Sequence, residues 1–398
     1  MKIAWLCPYP VPFLGDLLEW KIHRTGAHPC SWIINLSKAL VQMPDVELHL
    51  LTLNPWISRT QVVKKDGMVI HIIKNGVPFL HKGWPAWFPL DTLSGYRMES
   101  VNLCRELRKI SPDIVHAHGT EQGYAITAMR SGLPYLTSIQ GIIEEFDKTD
   151  PCLHYKLMKP REKWAVRNSK YFTCRTHFDT GFVRKLNPVA KIFDIPEAMG
   201  FVFFGGQWDD PPENRVLHVG GGSSRKGLHE LIEAMGAAVK QIPEASIDAV
   251  GSCSPDRQKF LEGKAQSAGV KIRFHGFRNA TEIAALHRQC SLFVLCSSNE
   301  NSPNTLAEAM VSGMPVVAYN VGGVSSMFVD GESGALIQPN DTEALASAIA
   351  ELLSDKEKAT KLGVAAAEFA RTRNHPDHVA EETMAAYEFI LRNERVKQ

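Results

Sequence analysis

Short apolar runs rich in β-branched residues alternate along this chain with longer stretches in which apolar positions recur every three or four residues. The first pattern is that of buried strands and the second that of amphipathic helices. Their alternation predicts an α/β protein built on parallel sheets with helices on both faces. In the first half, strands are expected over residues 2–6, 46–51, 69–73, 114–117, 135–138 and 171–174, and helices over 31–41, 94–109, 122–131, 155–168 and 178–186. A second series of strands follows over 216–219, 246–250, 271–275, 292–295 and 315–318, with a helix between each pair.

Between the two series lies a stretch holding PEAMG, GG and WDDPPEN, where turn formers and prolines cluster. The expected organisation is an N-terminal domain over 1–195, a linker over 196–215, a C-terminal domain over 216–375 and a terminal helix over 376–398. Residues 201–204 of the linker have a short buried strand as their alternative. The terminal helix, with apolar residues at Val379, Met384, Tyr387 and Ile390, either closes the second domain or crosses back to the first. Two doubly wound, Rossmann-like parallel-sheet domains are expected to face a central cleft, with ligands beyond the carboxyl ends of the strands.

Composition narrows the function classes. A chain of 398 residues exceeds one ordinary core, which agrees with two domains. A formal net charge of +1 argues against nucleic acid as a partner, since that demands a basic excess. No run of 18 apolar residues is present, so no membrane-spanning helix is expected. The opening MKIAWLCPYP reads as a first strand rather than a signal peptide, and the eight cysteines show no CxxC or metal-ligand spacing. A cytoplasmic enzyme is the expectation.

Candidate chemistry collects at strand ends. Glu300 and Glu308 bracket NENSPNTLAEAMVSGMPVVA, directly after the apolar run 291–296. Ser302 is the expected N-cap, Pro303 suits the first helical position, and Gly313 stops the helix. Helix N-termini attract anions, and a carboxylate beside such a site suits a ligand that also carries hydroxyls. That combination suggests a sugar nucleotide; the alternative is a plain helix start with a surface glutamate. Upstream, the strand at 216–219 runs into Gly220-Gly-Gly-Ser-Ser-Arg225-Lys226-Gly227 and then a helix. Glycines admit a close ligand, and two cations at a helix start carry a cost that a diphosphate would offset. The loop is neither a P-loop nor a GxGxxG turn, and a tight turn with solvated charge is the alternative. His116 and His118 alternate on one side of the strand at 114–117, either as ligand contacts or as structural histidines. No HExxH or Cys/His cluster supports a metal site, and Asp209-Asp210 reads as a solvated turn.

Taken together, SSNENSPNTLAEAMVSGMPVVAYNVGGVSSMFVDGESGALIQPNDTEALASAIAELL, FHGFRNATEIAALHRQCSLFVL, VLHVGGGSSRKGLHELIEAM and DAVGSCSPDRQKFLEGKAQSAGVKI resemble a retaining glycosyltransferase of family 4, with the GT-B fold. The resemblance covers the second domain almost throughout. It is weaker in the first, through the opening strand, GAHPCSWIINLSKAL and SPDIVHAHGTEQGYA.

The resemblance implies transfer of a hexose from a nucleotide sugar, UDP-linked by preference, with no cofactor and no metal. Glu308 would bind the ribose hydroxyls. Glu300 would contact the transferred sugar, and His118 would face that sugar across the cleft; these two are the catalytic candidates. Lys226 with Arg225 would neutralise the diphosphate, and Gly222 and Gly251 belong to the same donor site. Amides of Asn304, Thr305 and Leu306 would support the phosphate, and residues 275–278, His275 and Phe277 among them, would line the base largely through backbone. Placement and charge matter more to such a reaction than a strong base. No protein nucleophile is assigned. Relatives carry an arginine straight after the first glycine of the diphosphate loop; here that place is Gly221, and Arg225 is the candidate replacement. On the acceptor side, Gly15 or Gly26 stands for a glycine-rich loop with His28 beside it. Gln140-Gly141 occupies the place of a His-Gly, and Pro196-Glu-Ala-Met replaces an Asn-Gly-Val-Asp turn.

The expected acceptor is a glycan or lipid-linked glycan of cell-surface polysaccharide or glycolipid synthesis. FLHKGWPAWFPL at 79–90 and KLMKPREKWAVRNSK at 156–170 have two readings. They rest on the anionic inner face of the cytoplasmic membrane, or they are a packed loop and a solvated helix face. Oligomeric state is open. Two rival functions are a nucleotide-sugar epimerase of the same fold and an idle sugar-binding or scaffold protein.

Overall fold

The structure is a computed structural model that describes residues 1–18, 30–54, 57–75, 90–206, 208, 209, 211 and 213–395. Gly26, His28 and the aromatic segment 79–89 lie outside the described residues, as does Asp210. The chain divides into two compact units, one formed by Met1–Ala198 with Val379–Gln398 and the other by Met199–His378.

The first unit holds eight strands: β1 (Lys2–Leu6), β2 (Glu47–Asn54), β3 (Gln61–Lys65), β4 (Met68–Lys74), β5 (Ile114–His118), β6 (Tyr135–Ser138), β7 (Tyr171–Cys174) and β8 (Lys191–Asp194). Their order is β3-β4-β2-β1-β5-β6-β7-β8, parallel throughout except for the β3–β4 hairpin. Central strands such as β5, IVHAH, are buried at every position because helices cover both faces. The edges differ. In β3 exposed positions alternate with covered or half-buried ones, and β8 exposes both of its ends. The terminal helix Pro376–Arg395 gives Val379, Ala380, Ala386, Tyr387 and Ile390 to the core that also contains Ile3, Trp5 and Ile33. From Val379 onward it is therefore a helix of the first unit.

The second unit is a six-stranded, wholly parallel sheet of β9 (Arg215–Val219), β10 (Ser246–Val250), β11 (Lys271–Gly276), β12 (Leu292–Leu295), β13 (Val316–Tyr319) and β14 (Ala335–Ile337), in the order β11-β10-β9-β12-β13-β14. Two local expectations change here. Residues Phe201–Phe203 form a 3-10 turn and not a strand. A strand would place Phe201 and Phe203 on the same side, whereas Phe201 is exposed and Phe203 is buried against His287. The helix Asn304–Val311 is capped at Pro303 and not at Ser302. Pro303 is extended, with φ −69° and ψ 113°, and its carbonyl accepts from the N–H groups of Leu306 and Ala307 at 3.1 and 3.3 Å. Among the described residues no helix is long and apolar enough to cross a membrane.

Candidate functional site

In the second unit β9 lies between β10 and β12, so the strand order reverses there, the position at which open parallel sheets bind their ligands. The β9 loop is held by its neighbours. Gly220 and Gly221 donate their N–H groups to the Val250 carbonyl at 3.0 and 2.9 Å, Gly222 donates to Ser252 at 3.1 Å, and Gly251 donates to Gly276 at 2.8 Å. Gly221 at φ +72° and Gly251 at φ +120° lie backbone against backbone, where a Cβ on Gly251 would strike the Gly221 main chain. Two glycines are required at this crossing, and the ends of β9, β10 and β11 become one continuous backbone surface.

Arg225 and Lys226 follow in a short 3-10 turn, Ser224–Lys226. The Ser298 N–H donates to the Arg225 carbonyl at 2.9 Å, and Arg225 Nη1 donates to the Asn299 carbonyl at 3.2 Å. Lys226 Nζ pairs with the Glu300 carboxylate. Two loops remote in sequence thus meet at the switch point as an ion pair. Glu308, in the second turn of the Asn304–Val311 helix, is buried. Asn304 and Thr305 open that helix, but Leu306 does not share their place as an amide donor: its N–H is engaged by Pro303 and its side chain is fully buried.

Sequence reasoning did not single out Asp248 on β10. Its buried carboxylate accepts from Arg215 Nε at 2.6 Å and pairs with His275 Nε2. Burial acts to raise the Asp248 carboxyl, yet the hydrogen bonds from Arg215 and His275 prevail and hold it below the usual carboxylate range. The imidazole of His275 is therefore fixed toward the sheet, while Phe277, two residues on, is exposed.

In the first unit the reversal falls between β1 and β5. His118 ends β5, and its ring lies 4.0 Å from His116 and 4.4 Å from Trp5, centroid to centroid. The two histidines differ in kind. Trp5 Nε1 donates to the Tyr387 hydroxyl at 2.9 Å, Tyr387 meets His116 Nδ1 at 2.6 Å, His116 Nε2 meets Ser138 at 2.7 Å, and Ser138 meets Thr173 at 2.6 Å. An indole nitrogen can only donate, so the Tyr387 proton goes to Nδ1, and neutral His116 carries its own on Nε2 toward Ser138. His116 is structural. His118 is buried, and neither of its ring nitrogens has a hydrogen-bond partner among the described residues. Burial pushes it down to about 3, so it is neutral at ordinary pH.

Both histidines line a small cavity of about 30 Å³ with Trp32, Gln140, Arg175 and Glu197. Arg175, after β7, donates to Gln140 Oε1 at 3.1 Å, also to the Gln140 carbonyl, and pairs with Glu197. Glu197 comes from the Pro196-Glu-Ala-Met stretch, which thus contributes a buried carboxylate to this cavity. Arg175 sits directly beyond a strand end, a position that would have flagged it. Gly15, in the run Val11–Leu17, has φ +48° and open space where a Cβ would stand, apart from these contacts.

Residues 207–369 match the family model described as glycosyl transferases group 1. The D-inositol 3-phosphate glycosyltransferase of Corynebacterium urealyticum is 30% identical over 162 residues, 39% of this chain and 36% of that protein. The match thus spans little more than a third of that relative's length. The glycogen synthase of Mycobacterium tuberculosis is 25% identical over 316 residues, 77% of this chain and 75% of its own. Among solved structures, sucrose-phosphate synthase from Thermosynechococcus elongatus has a TM-score of 0.81 at 18% identity, covering 98% of this chain and 99% of that one. The fold is the same: two Rossmann-like, parallel-sheet units of the GT-B type.

Proposed function

We propose that this chain is a group 1 glycosyltransferase that moves a hexose from a nucleotide sugar to a hydroxyl of a glycan or glycolipid, with retention at the anomeric carbon and no need of a metal ion. The observation that carries this reading is the Lys226–Glu300 pair at the β9–β12 switch point. In the reaction the bond from the anomeric carbon to the diphosphate breaks, and the diphosphate leaves with the electron pair. The acceptor oxygen then bonds that carbon and passes its proton to the departing diphosphate. Lys226 neutralises the departing diphosphate, assisted by Arg225, and Glu300 stabilises the positive charge that develops on the sugar. Glu308 takes the ribose hydroxyls, Gly222, Gly251, Asn304 and Thr305 receive the phosphates, and His275 and Phe277 flank the base. In the first unit neutral His118 is the proposed sugar contact, donating one hydrogen bond and accepting another, and Gln140 and Gly15 belong to the acceptor side.

Cations in the loop supply the counter-charge that a divalent ion gives elsewhere, so chelation with EDTA should leave turnover unchanged. Exposed Leu153 and Trp164 on the helix Leu153–Asn168 support contact with anionic lipid, which vesicle sedimentation at low salt tests. The deciding experiment supplies labelled UDP-, GDP- and ADP-hexoses with pooled glycan and glycolipid acceptors and reads the anomeric configuration of the product by NMR. Acceptor-dependent transfer with retained configuration, from the UDP donor first, is the expected result. Donor epimerised without any acceptor would replace this reading with an epimerase, and neither product would leave a binding protein.

A further inference from the structure

We infer that Arg257 is a donor-binding residue whose guanidinium grips the diphosphate at the Gly220–Gly222 loop. The inference rests on the nucleotide-sugar reading above and adds a residue to it. Arg257 lies in the first turn of the helix Pro255–Ser267, which follows β10 and is capped by the Ser254 side chain. Its Nε donates to the Gly222 carbonyl at 2.9 Å, and its stem leans on that glycine so closely that a Cβ there would meet it at 3.2 Å. The guanidinium carbon stands 4.9 Å from the Phe260 ring centroid, which fixes the fork from a second side. The cation is thereby held on the glycine loop itself.

The loop's own cations each hold a partner on the β12 side that a donor has to displace. Lys226 is paired with Glu300, and Arg225 is bonded to the Asn299 carbonyl. Gly221 offers no side chain, because its main chain is pressed against Gly251 and Ser252. No carboxylate among the described residues lies within ion-pair distance of Arg257. Bracing one carbonyl needs only a neutral donor. A cation in the first turn of a helix also opposes the helix dipole, a cost that an anion bound beside it offsets. With Nε spent on Gly222, the two terminal nitrogens form the planar fork that matches two phosphate oxygens.

Calorimetric titration of wild type, Arg257→Gln, Arg257→Lys and Lys226→Gln tests this, using UDP, GDP and ADP and the matching nucleosides by competition. Arg257→Gln should weaken the tightest diphosphate roughly 10- to 100-fold while changing its nucleoside less than about twofold, with Arg257→Lys in between. An unchanged diphosphate affinity, or an equal loss for nucleoside and diphosphate, overturns the assignment, since the second outcome is that of a loop brace. If Arg257→Gln does not fold, judged by ligand-free melting, Arg257→Lys decides by the same ratio. Loss in Lys226→Gln without loss in the Arg257 variants overturns this inference alone, whereas a wild type that binds none of the three diphosphates overturns the functional reading as well.

Discussion

Lys226 and Glu300 stand 74 residues apart in the chain and meet as an ion pair whose side chains are 20% and 10% exposed. The pair sets the site in a waiting state: the cation proposed for the diphosphate and the carboxylate proposed for the sugar hold one another until a donor separates them. Neither charge is left uncompensated near the apolar ends of β9 and β12.

Glu300→Gln should therefore separate turnover from binding. We expect kcat to fall by about 10²- to 10³-fold, the scale of one well-placed charge at a reacting centre. Affinity for the nucleoside diphosphate should stay equal or rise, because Lys226 is released from its partner. Steady-state kinetics set beside calorimetry check both, and a loss of affinity matching the loss of kcat would contradict the division of roles.

Tyr387→Phe removes the hydroxyl shared by Trp5 and His116. It leaves a buried indole N–H and a buried ring nitrogen without partners, which should cost about 2–4 kcal/mol. Urea unfolding followed by Trp fluorescence measures it. A change under about 0.5 kcal/mol would mean that the relay is not closed as described.

Glu162 lies buried beneath the loop after β6, where it accepts from the Ile143 N–H at 3.1 Å and the Thr120 hydroxyl at 3.2 Å. Burial first, and then the neighbouring Glu121 carboxylate, raise it to about 8. In the unfolded chain the same group titrates near 4.5, so between pH 4.5 and 8 the folded state keeps a proton that the unfolded state has lost. Its contribution is complete below pH 4.5 and is lost as pH rises through 8. Glu162→Gln should make the melting temperature decline less steeply from pH 5 to 8, and an unchanged slope would refute the assignment.

Asp248→Asn removes the charge that holds Arg215 and His275. Leaving Arg215 with only the exposed Glu213 carboxylate, 3.8 Å away, should cost about 3 kcal/mol, and freeing His275 should weaken nucleoside binding along with the fold. Stability and nucleoside affinity measured on one preparation separate the two effects.

The strands most legible in the sequence are those buried on both faces. β6, β7, β10 and β12 begin and end where the sequence places them, and nearly every position in them is buried, as throughout LFVL. Three of the four edge strands escaped for the opposite reason, and only β11 was legible. In β3, QVVKK, two of the five positions are exposed and the lysines suit a solvent edge, while no position of β8 or β14 is buried enough to leave an apolar pattern. At the site, spacing pointed to Glu300 and to the glycine loop, yet no pattern in sequence joins Lys226 to Glu300 or Tyr387 to His116. Such pairs are made by sheet order, which brings distant strand ends together. Glu197 was hidden likewise, inside a stretch that reads only as a turn, whereas its partner Arg175 stands directly beyond a strand end, where position alone could have marked it.

Binding of a nucleoside diphosphate to the second unit is the claim on which the rest stands, and thermal melting in the presence of UDP, GDP and ADP tests it most directly. One of the three, UDP foremost, should stabilise the protein saturably, by about 2.7 kcal/mol at a hundredfold excess over Kd. That gain should vanish in Glu308→Ala, which loses the ribose contact. No stabilisation by any of the three, or an undiminished gain in Glu308→Ala, would contradict the account.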